Sequence, residues 1–445
     1  MSILTEKWAK VLDLEGAPKI ADEHRRSVTA QLIENEVNFL KASAEHDAGF
    51  FTALNEDSTY APVNHGGDGV ALGQTGTNSK MMGYDPVLIN LVRRAMPQLI
   101  AFDVCGVQPM TMPTGLIFAL KARYGNQAGD EALFQEPNTA FSGKGTHKGS
   151  NWADGSDYET GYGMSTEEKE KLGTSAGAEW AQMAFSIERT QVIAQARALK
   201  AEYTMELAQD LKAVHGLDAE QELSNILATE ILGEINREII RDIYVTAKQG
   251  CVNRTATAGV FDLDIDSDGR WSAEKYKSLM MCIEREANAI AQDTRRGRGN
   301  FIICSSDVAS ALQMAGMLDY APALQQNHLN VDEANSTFAG ILNGKYKVFI
   351  DPYTANQAAD QYFVMGYKGA SPYDAGMFYC PYIPLQLVKA QDPNSFQPKI
   401  GFQTRYGLAF NPMVQLDAQM GNGTVTAAQM AGKNYYYRKV IIKNL

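Results

Sequence analysis

218-DAEQELSNILATEILGEINREIIRDIYVTAKQG-250 is the stretch on which the reading of this chain turns. Leu223, Leu227, Ile231, Ile235, Ile239 and Ile243 recur at every fourth position, and Ile226 and Ile240 widen the stripe. One face of a helix is therefore apolar along its whole length. Asp218 stands where an N-cap is wanted, and Gln221 follows three residues on, close to a capping box. The pattern stops near Gly250. A helix over 218–248, roughly 30 residues and about 45 Å long, exceeds the helix of an ordinary domain. Such a rod suits a strut on which other elements pack.

Working outward, helical periodicity upstream predicts another helix over about 187–215, closed by Gly216 as a C′ glycine. Before it lies the polar, glycine-rich span 125–180, with the charged run 167-EEKEK-171. A span of that length inside a folded chain reads as an extended interaction loop. 102-FDVCGVQPM-110 and 116-LIFALKARY-124 read as paired strands around 112-MPTG-115. A helix starts at Pro86 in 86-PVLINLVRRAM-96 and bends or ends at Pro97. Residues 57–83, rich in Gly, Ser, Thr and Asn, read as an arm without a core of its own.

Residues 1–56 differ again. Two helical patterns, near 4–14 and 20–42, carry Trp8, Val11, Leu12, Val28, Leu32, Val37, Phe39 and Leu40. These are weak amphipathic helices that need a partner to bury their stripe. The segment holds 6 Lys/Arg and 10 Asp/Glu, a charge of −4. Downstream of the long helix the order is a helix at 272–292, the strand 300-NFIIC-304, a helix from Asp307 and the strand 345-KYKVFI-350. Aromatic strands follow at 361–367, 376–382, 402–410 and 435–442. The class is α+β.

With 45% apolar and 21% charged residues among 445, the chain is long enough and apolar enough to fold around a substantial core. A net charge of −12 speaks against a dedicated, sequence-specific nucleic-acid binder. Five scattered cysteines without a CxxC read as reduced, buried thiols. The first residues, MSILTEKWAKVLDLEG, mix acids into their apolar run and do not read as a signal peptide. No uninterrupted 18-residue apolar run exists to span a membrane.

Four motifs invite chemistry. In 264-DIDSDGRWSAEKY-276, Asp264, Asp266, Asp268 and Gly269 match the start of a calcium loop. Lys275, however, occupies the place of the bidentate glutamate, with Glu274 one residue early, and no helix enters the loop. A solvated acidic turn is the better reading, with Ser272 capping the next helix, and an opportunistic divalent-ion site is the rival. 173-GTSAG-177 matches a nucleophile elbow, but the charged residues before it cannot supply the buried strand an elbow needs. 143-GKGTHKGS-150 lacks the phosphate-loop pattern. The arginines of 293-DTRRGRGN-300 suit the negative end of a helix better than an anion or subunit contact. Neither a catalytic constellation nor a cofactor or metal motif emerges, so the chain does not read as an enzyme.

At 84-YDPVLINLVRRAMPQLIAFDVCGVQPMTMPTGLIFALKARYG-125 the sequence resembles the major capsid proteins of T-even-type contractile-tailed bacteriophages. The likeness continues through 198–239, 297-GRGNFII-303, 338-FAGILNGKYKVFID-351, 365-MGYKG-369, 374-DAG-376 and 392-DPNSFQPKIGFQTRYG-407. It implies the tailed-phage capsid fold, the Hong Kong ninety-seven fold. On that template the divisions would be an assembly propeptide at 1–56, an N-terminal arm at 57–85 and a peripheral domain beginning at 86–123. An extended loop with a reduced insertion at 124–180 follows. The peripheral domain resumes with its spine helix at 181–250, an axial domain covers 251–383, and 384–445 completes the peripheral domain.

The resemblance implies hexameric capsomers in a shell lattice around packaged DNA, with a vertex protein, a scaffold, a portal and a prohead protease as partners. Neither a cofactor nor a membrane is implied. The family's cleavage pattern, Leu or Ile, any residue, then Glu, places maturation at Leu54, Asn55 and Glu56, with Asp57 as the new first residue. 32-LIE-34 also matches, but inside a predicted helix. The chain departs from the family at 146–180, where few apolar residues replace a large inserted subdomain. A capsid vertex protein and an encapsulin-like shell are the alternative readings.

Overall fold

The computed structural model describes residues 3–13, 20, 22–54, 99–133, 137–148, 159–174, 179–252, 255–267, 269, 271–316, 318–320, 337–351, 353, 361–391, 397–414 and 426–445. The chain divides into two compact units. The first comprises Met1–Gly115, Gln191–Phe410 and Gly423–Leu445, the second Leu116–Thr190 and Asn411–Asn422.

The first unit opens with α1 (Ile3–Lys7), α2 (Ala9–Leu12), α3 (Glu23–Leu54), α4 (Ala101–Val104) and β1 (Gly106–Val107). Along the chain follow β2 (Thr114–Tyr124), α5 (Thr166–Lys171) and β3 (Met183–Ile193), which belong to the second unit apart from the ends of the two strands. Then come β4 (Gln195–Glu202), α6 (Met205–His215), α7 (Ala219–Thr246), β5 (Ala247–Gln249), β6 (Val260–Asp262) and α8 (Ser272–Thr294). The remainder is β7 (Phe301–Ser305), α9 (Ser306–Met314), β8 (Leu318–Tyr320), β9 (Thr337–Leu342), β10 (Tyr346–Asp351), β11 (Gln361–Gly366), β12 (Met377–Gln391), β13 (Pro398–Phe410) and β14 (Asn434–Lys443).

The long helix forms where its periodicity placed it. The Asp218 side chain accepts a hydrogen bond from the Glu220 N–H at 3.1 Å, satisfying one of the open donors of the first turn. Leu227, Ile231, Ile235, Ile239, Ile240 and Ile243 are buried. Ile226 is not; it is 61% exposed. At about 100° per residue, a row at every fourth position winds about 40° around the helix per step. The buried face follows that row and takes in Leu232 and Asn236, while Ile226 falls on the far side. Asn236 accepts from the Ile100 N–H at 3.1 Å, and Arg237 reaches Asp351 on β10 at 2.5 Å.

Two sheets flank this strut. One runs β1-β12-β13-β4, the other β5-β14-β11-β7-β10-β9-β8, with β6 also on β14. β7 and β10 pair in parallel and β11 pairs antiparallel to β7. Their near-continuous burial, with Phe301, Ile302, Ile303, Val348, Phe363 and Val364 all inside, is what strands covered on both faces require. β14 joins this second sheet, so 384–445 contributes to both.

Three expectations fail. The span 187–215 is not one helix: it is β3, β4 and α6. β4, QARALKAE, is built from good helix formers, yet it pairs with β13 from Gln195↔Tyr406 to Glu202↔Lys399. Backbone pairing to a long neighbouring strand outweighs a weak local preference. Thr204 then caps α6 by accepting from the Leu207 N–H, and Gly216 ends it at φ 68. Second, 102–110 does not pair with 116–124. Phe102 sits in α4, β1 pairs with β12, and β2 pairs with β3. Third, Ser272 is the first helical residue of α8 and Trp271 takes the N-cap position, without a side-chain cap. The helix expected at Pro86 lies outside the described residues.

Candidate functional site

Two features stand apart from the core: an N-terminal segment laid on the first sheet, and a two-stranded ribbon with an uncovered apolar face.

The N-terminal segment folds on itself first. Glu34 on α3 accepts from Lys7 Nζ at 2.7 Å and Trp8 Nε1 at 2.8 Å. Arg26 pairs with Asp13 at 2.6 Å. Leu12, Val28 and Leu32 of the predicted stripe are buried, with Ile33 beside them; Trp8 and Val37 are half-buried, and the side chains of Val11, Phe39 and Leu40 lie outside the described ones. α3 then binds the body of the first unit through polar groups aimed at backbone. Asn35 Nδ2 donates to the carbonyls of Met110 at 2.8 Å and Tyr382 at 2.9 Å. A ring nitrogen of His24 lies 3.0 Å from the Val107 carbonyl. Arg25 pairs with Asp103 at 2.8 Å and lies over the Phe102 ring. Each contact falls on α4, β1, β12 or the loop after β1, so the segment is strapped along one edge of the four-stranded sheet. Leu54 closes α3; Asn55, Glu56 and Asp57 lie outside the described residues.

The ribbon of β2 and β3 belongs to the second unit apart from its ends. Its two faces differ by strict alternation. On one, Lys121 pairs with Glu188 at 2.8 Å, and Arg123 reaches Glu188 at 3.0 Å and Ser186 at 2.8 Å. On the other stand Leu116, Phe118, Leu120, Met183, Phe185 and Ile187, each between 53% and 64% exposed. Two strands have no second layer with which to cover such a face. The reading of 187–193 as the start of a helix hid this patch. Period-two spacing of Met183, Phe185 and Ile187 was the available signal.

The lures dissolve into local structure. Asp264 pairs with Lys275 at 2.5 Å, and Asp266 accepts from the N–H groups of Ala256 and Asp262. The lysine where a calcium loop has its anchoring glutamate thus neutralises the first carboxylate. Asp268 lies outside the described residues. Gly173 follows α5 rather than a strand, and Ser175 is outside the described residues. In 143–150, Lys144 pairs with Glu168, and Thr139 Oγ1 lies 3.0 Å from His147. Arg296 pairs with Asp374 at 3.3 Å, and Arg298 pairs with Glu284 and donates to Tyr346 Oη at 3.1 Å. Among the described residues no group of three or more His, Cys, Asp or Glu is placed to hold a metal. Nor is any described helix long and apolar enough to cross a membrane. All five cysteines are buried and free.

The family model of major capsid protein Gp23 matches residues 81–442. The major capsid protein of Salmonella phage ViI is 42% identical, over 99% of this chain and 98% of its own length. That of Vibrio phage KVP40 is 38% identical, over 99% of this chain and all of its own. The capsid vertex protein of Enterobacteria phage T4 is 29% identical over 54% of this chain and 55% of its own length.

Proposed function

We infer that the chain, which belongs to the family of major capsid protein Gp23, builds hexameric capsomers of a phage head and is matured by loss of its first 56 residues. Family membership makes it a structural component of the virion capsid, with the α+β fold of that family, and not an enzyme. The apolar face of the β2–β3 ribbon carries the assembly reading. A row of Leu116, Phe118, Leu120, Met183, Phe185 and Ile187 left open on a thin ribbon is a contact awaiting its cover, and a shell lattice supplies that cover from a second copy. The acidic balance suits a wall that must not grip packaged DNA.

Removal of 1–56 would change the net charge from −12 to −8. It would also uncover the backbone acceptors at Val107, Met110 and Tyr382 now used by His24 and Asn35. The segment thereby serves as a strap on the first sheet until a prohead protease cuts after Glu56. In this reading β6 to β11 of the eight-stranded sheet fall in the axial domain of 251–383, while β5, β14 and the spine helix α7 belong to the peripheral domain. Scaffold, portal and vertex proteins are the further partners. Similarity across nearly the whole length to major capsid proteins, against about half to a vertex protein, favours the hexamer former over the vertex reading.

Electron microscopy of the full chain, expressed with its scaffold, tests the assembly proposal: capsomers or shells are expected, and soluble monomers throughout would sink it. N-terminal sequencing of virion protein tests the cleavage: the chain should begin at Asp57, and any other start refutes that site.

A further inference from the structure

One buried cluster serves neither assembly nor packing alone. Cys251, just after β5, and Cys282, on α8, bring their sulfurs to 3.1 Å although they are 31 residues apart. Cys251 also lies 3.5 Å from Glu286 Oε1, and its own N–H donates to that oxygen at 3.1 Å. Arg438 holds the other carboxylate oxygen at 3.3 Å.

The backbone is bent to make this approach. Cys251 adopts φ 50, a left-handed conformation uncommon for a residue with a side chain. A Cβ on Gly250 would stand 2.7 Å from Glu286 Oε2, so only glycine lets the carboxylate sit there. A cavity of about 180 Å³ opens beside the sulfurs, bordered by Met281 and Arg285, and Met281 is 54% exposed. A space of this size is ample for a molecule as small as hydrogen peroxide.

We propose that Cys251 and Cys282 are a peroxide-reactive thiol pair that closes to a disulfide, with Cys251 as the attacking sulfur, Glu286 as its proton acceptor and Cys282 as the resolving thiol. Glu286 takes the Cys251 thiol proton, and the sulfur attacks one peroxide oxygen. The O–O bond breaks and the departing hydroxide leaves as water with the proton from Glu286, giving a sulfenic acid on Cys251. Cys282 sulfur then attacks Cys251 sulfur. The S–O bond breaks, hydroxide departs as water with the Cys282 proton, and the S–S bond forms. Two thiols are oxidised and one peroxide is reduced to two waters.

The roles follow from the surroundings. The hydrogen bond to Cys251, followed by burial, raises the Cys282 thiol above its ordinary range, and it is Cys251, not Cys282, whose sulfur lies beside Glu286 Oε1. Cys105, Cys304 and Cys380 are buried with thiols pushed up to about 12 by burial. A shell subunit made in a reducing cytoplasm would thus acquire a covalent link between the β5–β6 loop and α8 on meeting peroxide.

The test uses the purified full chain treated with hydrogen peroxide, then denatured, alkylated and digested, with mass spectrometry of the cysteine peptides. The Cys251 and Cys282 peptides should appear joined, short of two hydrogens, about tenfold faster than any of the other three cysteines oxidises. In Cys282→Ser, a cyclic diketone should capture sulfenic acid on Cys251. Full alkylation of both cysteines after a peroxide dose that oxidises a small free thiol would overturn the proposal. So would the absence of capture on Cys251 in the folded Cys282→Ser chain.

Discussion

Replacing Phe118 and Phe185 together by Ser should disable assembly while sparing the fold. Both rings stand on the open face of the β2–β3 ribbon, 62% and 63% exposed. Complete burial of a large apolar side chain is worth about 1.5–3 kcal/mol. With roughly six-tenths of each ring still open, a covering subunit has about 1–2 kcal/mol to gain from each. The pair then loses about 2–4 kcal/mol per contact, and at about 1.4 kcal/mol per factor of ten the association weakens roughly a hundredfold. The monomer should barely notice, because exposed substitutions commonly stay within about 0.5 kcal/mol. Sedimentation across a concentration series reads the threshold for particle formation, and urea unfolding checks the monomer. An unchanged threshold, with the monomer intact, would refute the claim that this face is covered by a second copy.

Three further outcomes are expected. Arg237→Leu removes the guanidinium 2.5 Å from Asp351, whose side chain is 1% exposed, and takes away this cationic partner of a buried carboxylate that also accepts from Tyr362 Oη at 2.7 Å. Urea midpoints should fall by the equivalent of about 3–5 kcal/mol, and adding Asp351→Asn should recover part of the loss. Leu32→Ala, which empties a buried site under the N-terminal strap, should cost about 2–5 kcal/mol of docking, read as faster limited proteolysis within 1–54. Asp242, raised to about 6 by burial and then by Glu238, binds its proton more tightly folded than unfolded. Its favourable contribution is complete below the ordinary carboxylate value of 3.8 and is lost as the pH rises through about 6. Asp242→Asn should therefore raise the melting temperature at pH above 7 and change it little at pH below 4, by thermal scans in matched salt; the opposite order would contradict the burial argument.

Which parts were legible depended on the range of the interactions that decide them. β7 and β10 could be read because buried strands carry their own runs of Phe, Ile and Val. The docking of residues 1–56 was foreseen as a need, since Leu12, Val28 and Leu32 form a stripe too weak to stand alone, but not as a location. His24 and Asn35 reach backbone up to 347 residues away, and Arg25 reaches the side chains of Asp103 and Phe102. At 264–268 the misplaced Lys275, a local fact, is what argues against a calcium loop, and in the structure it pairs with Asp264.

By itself the sequence determined the strut: a cap at Asp218, an apolar row and a stop near Gly250 act over a few residues and need no partner. It also determined the family, through long matching blocks. Only the tertiary structure decided that 195-QARALKAE-202 is a strand, that Ile226 looks outward, that the ribbon face carrying Phe118 and Phe185 stays open, and that Cys251 meets Cys282. Each of these outcomes is set by a neighbour distant in the chain. A β13 strand offers β4 its backbone, the winding of α7 selects which isoleucines meet the sheets, and a left-handed turn after Gly250 carries one sulfur to another. No local propensity encodes such meetings.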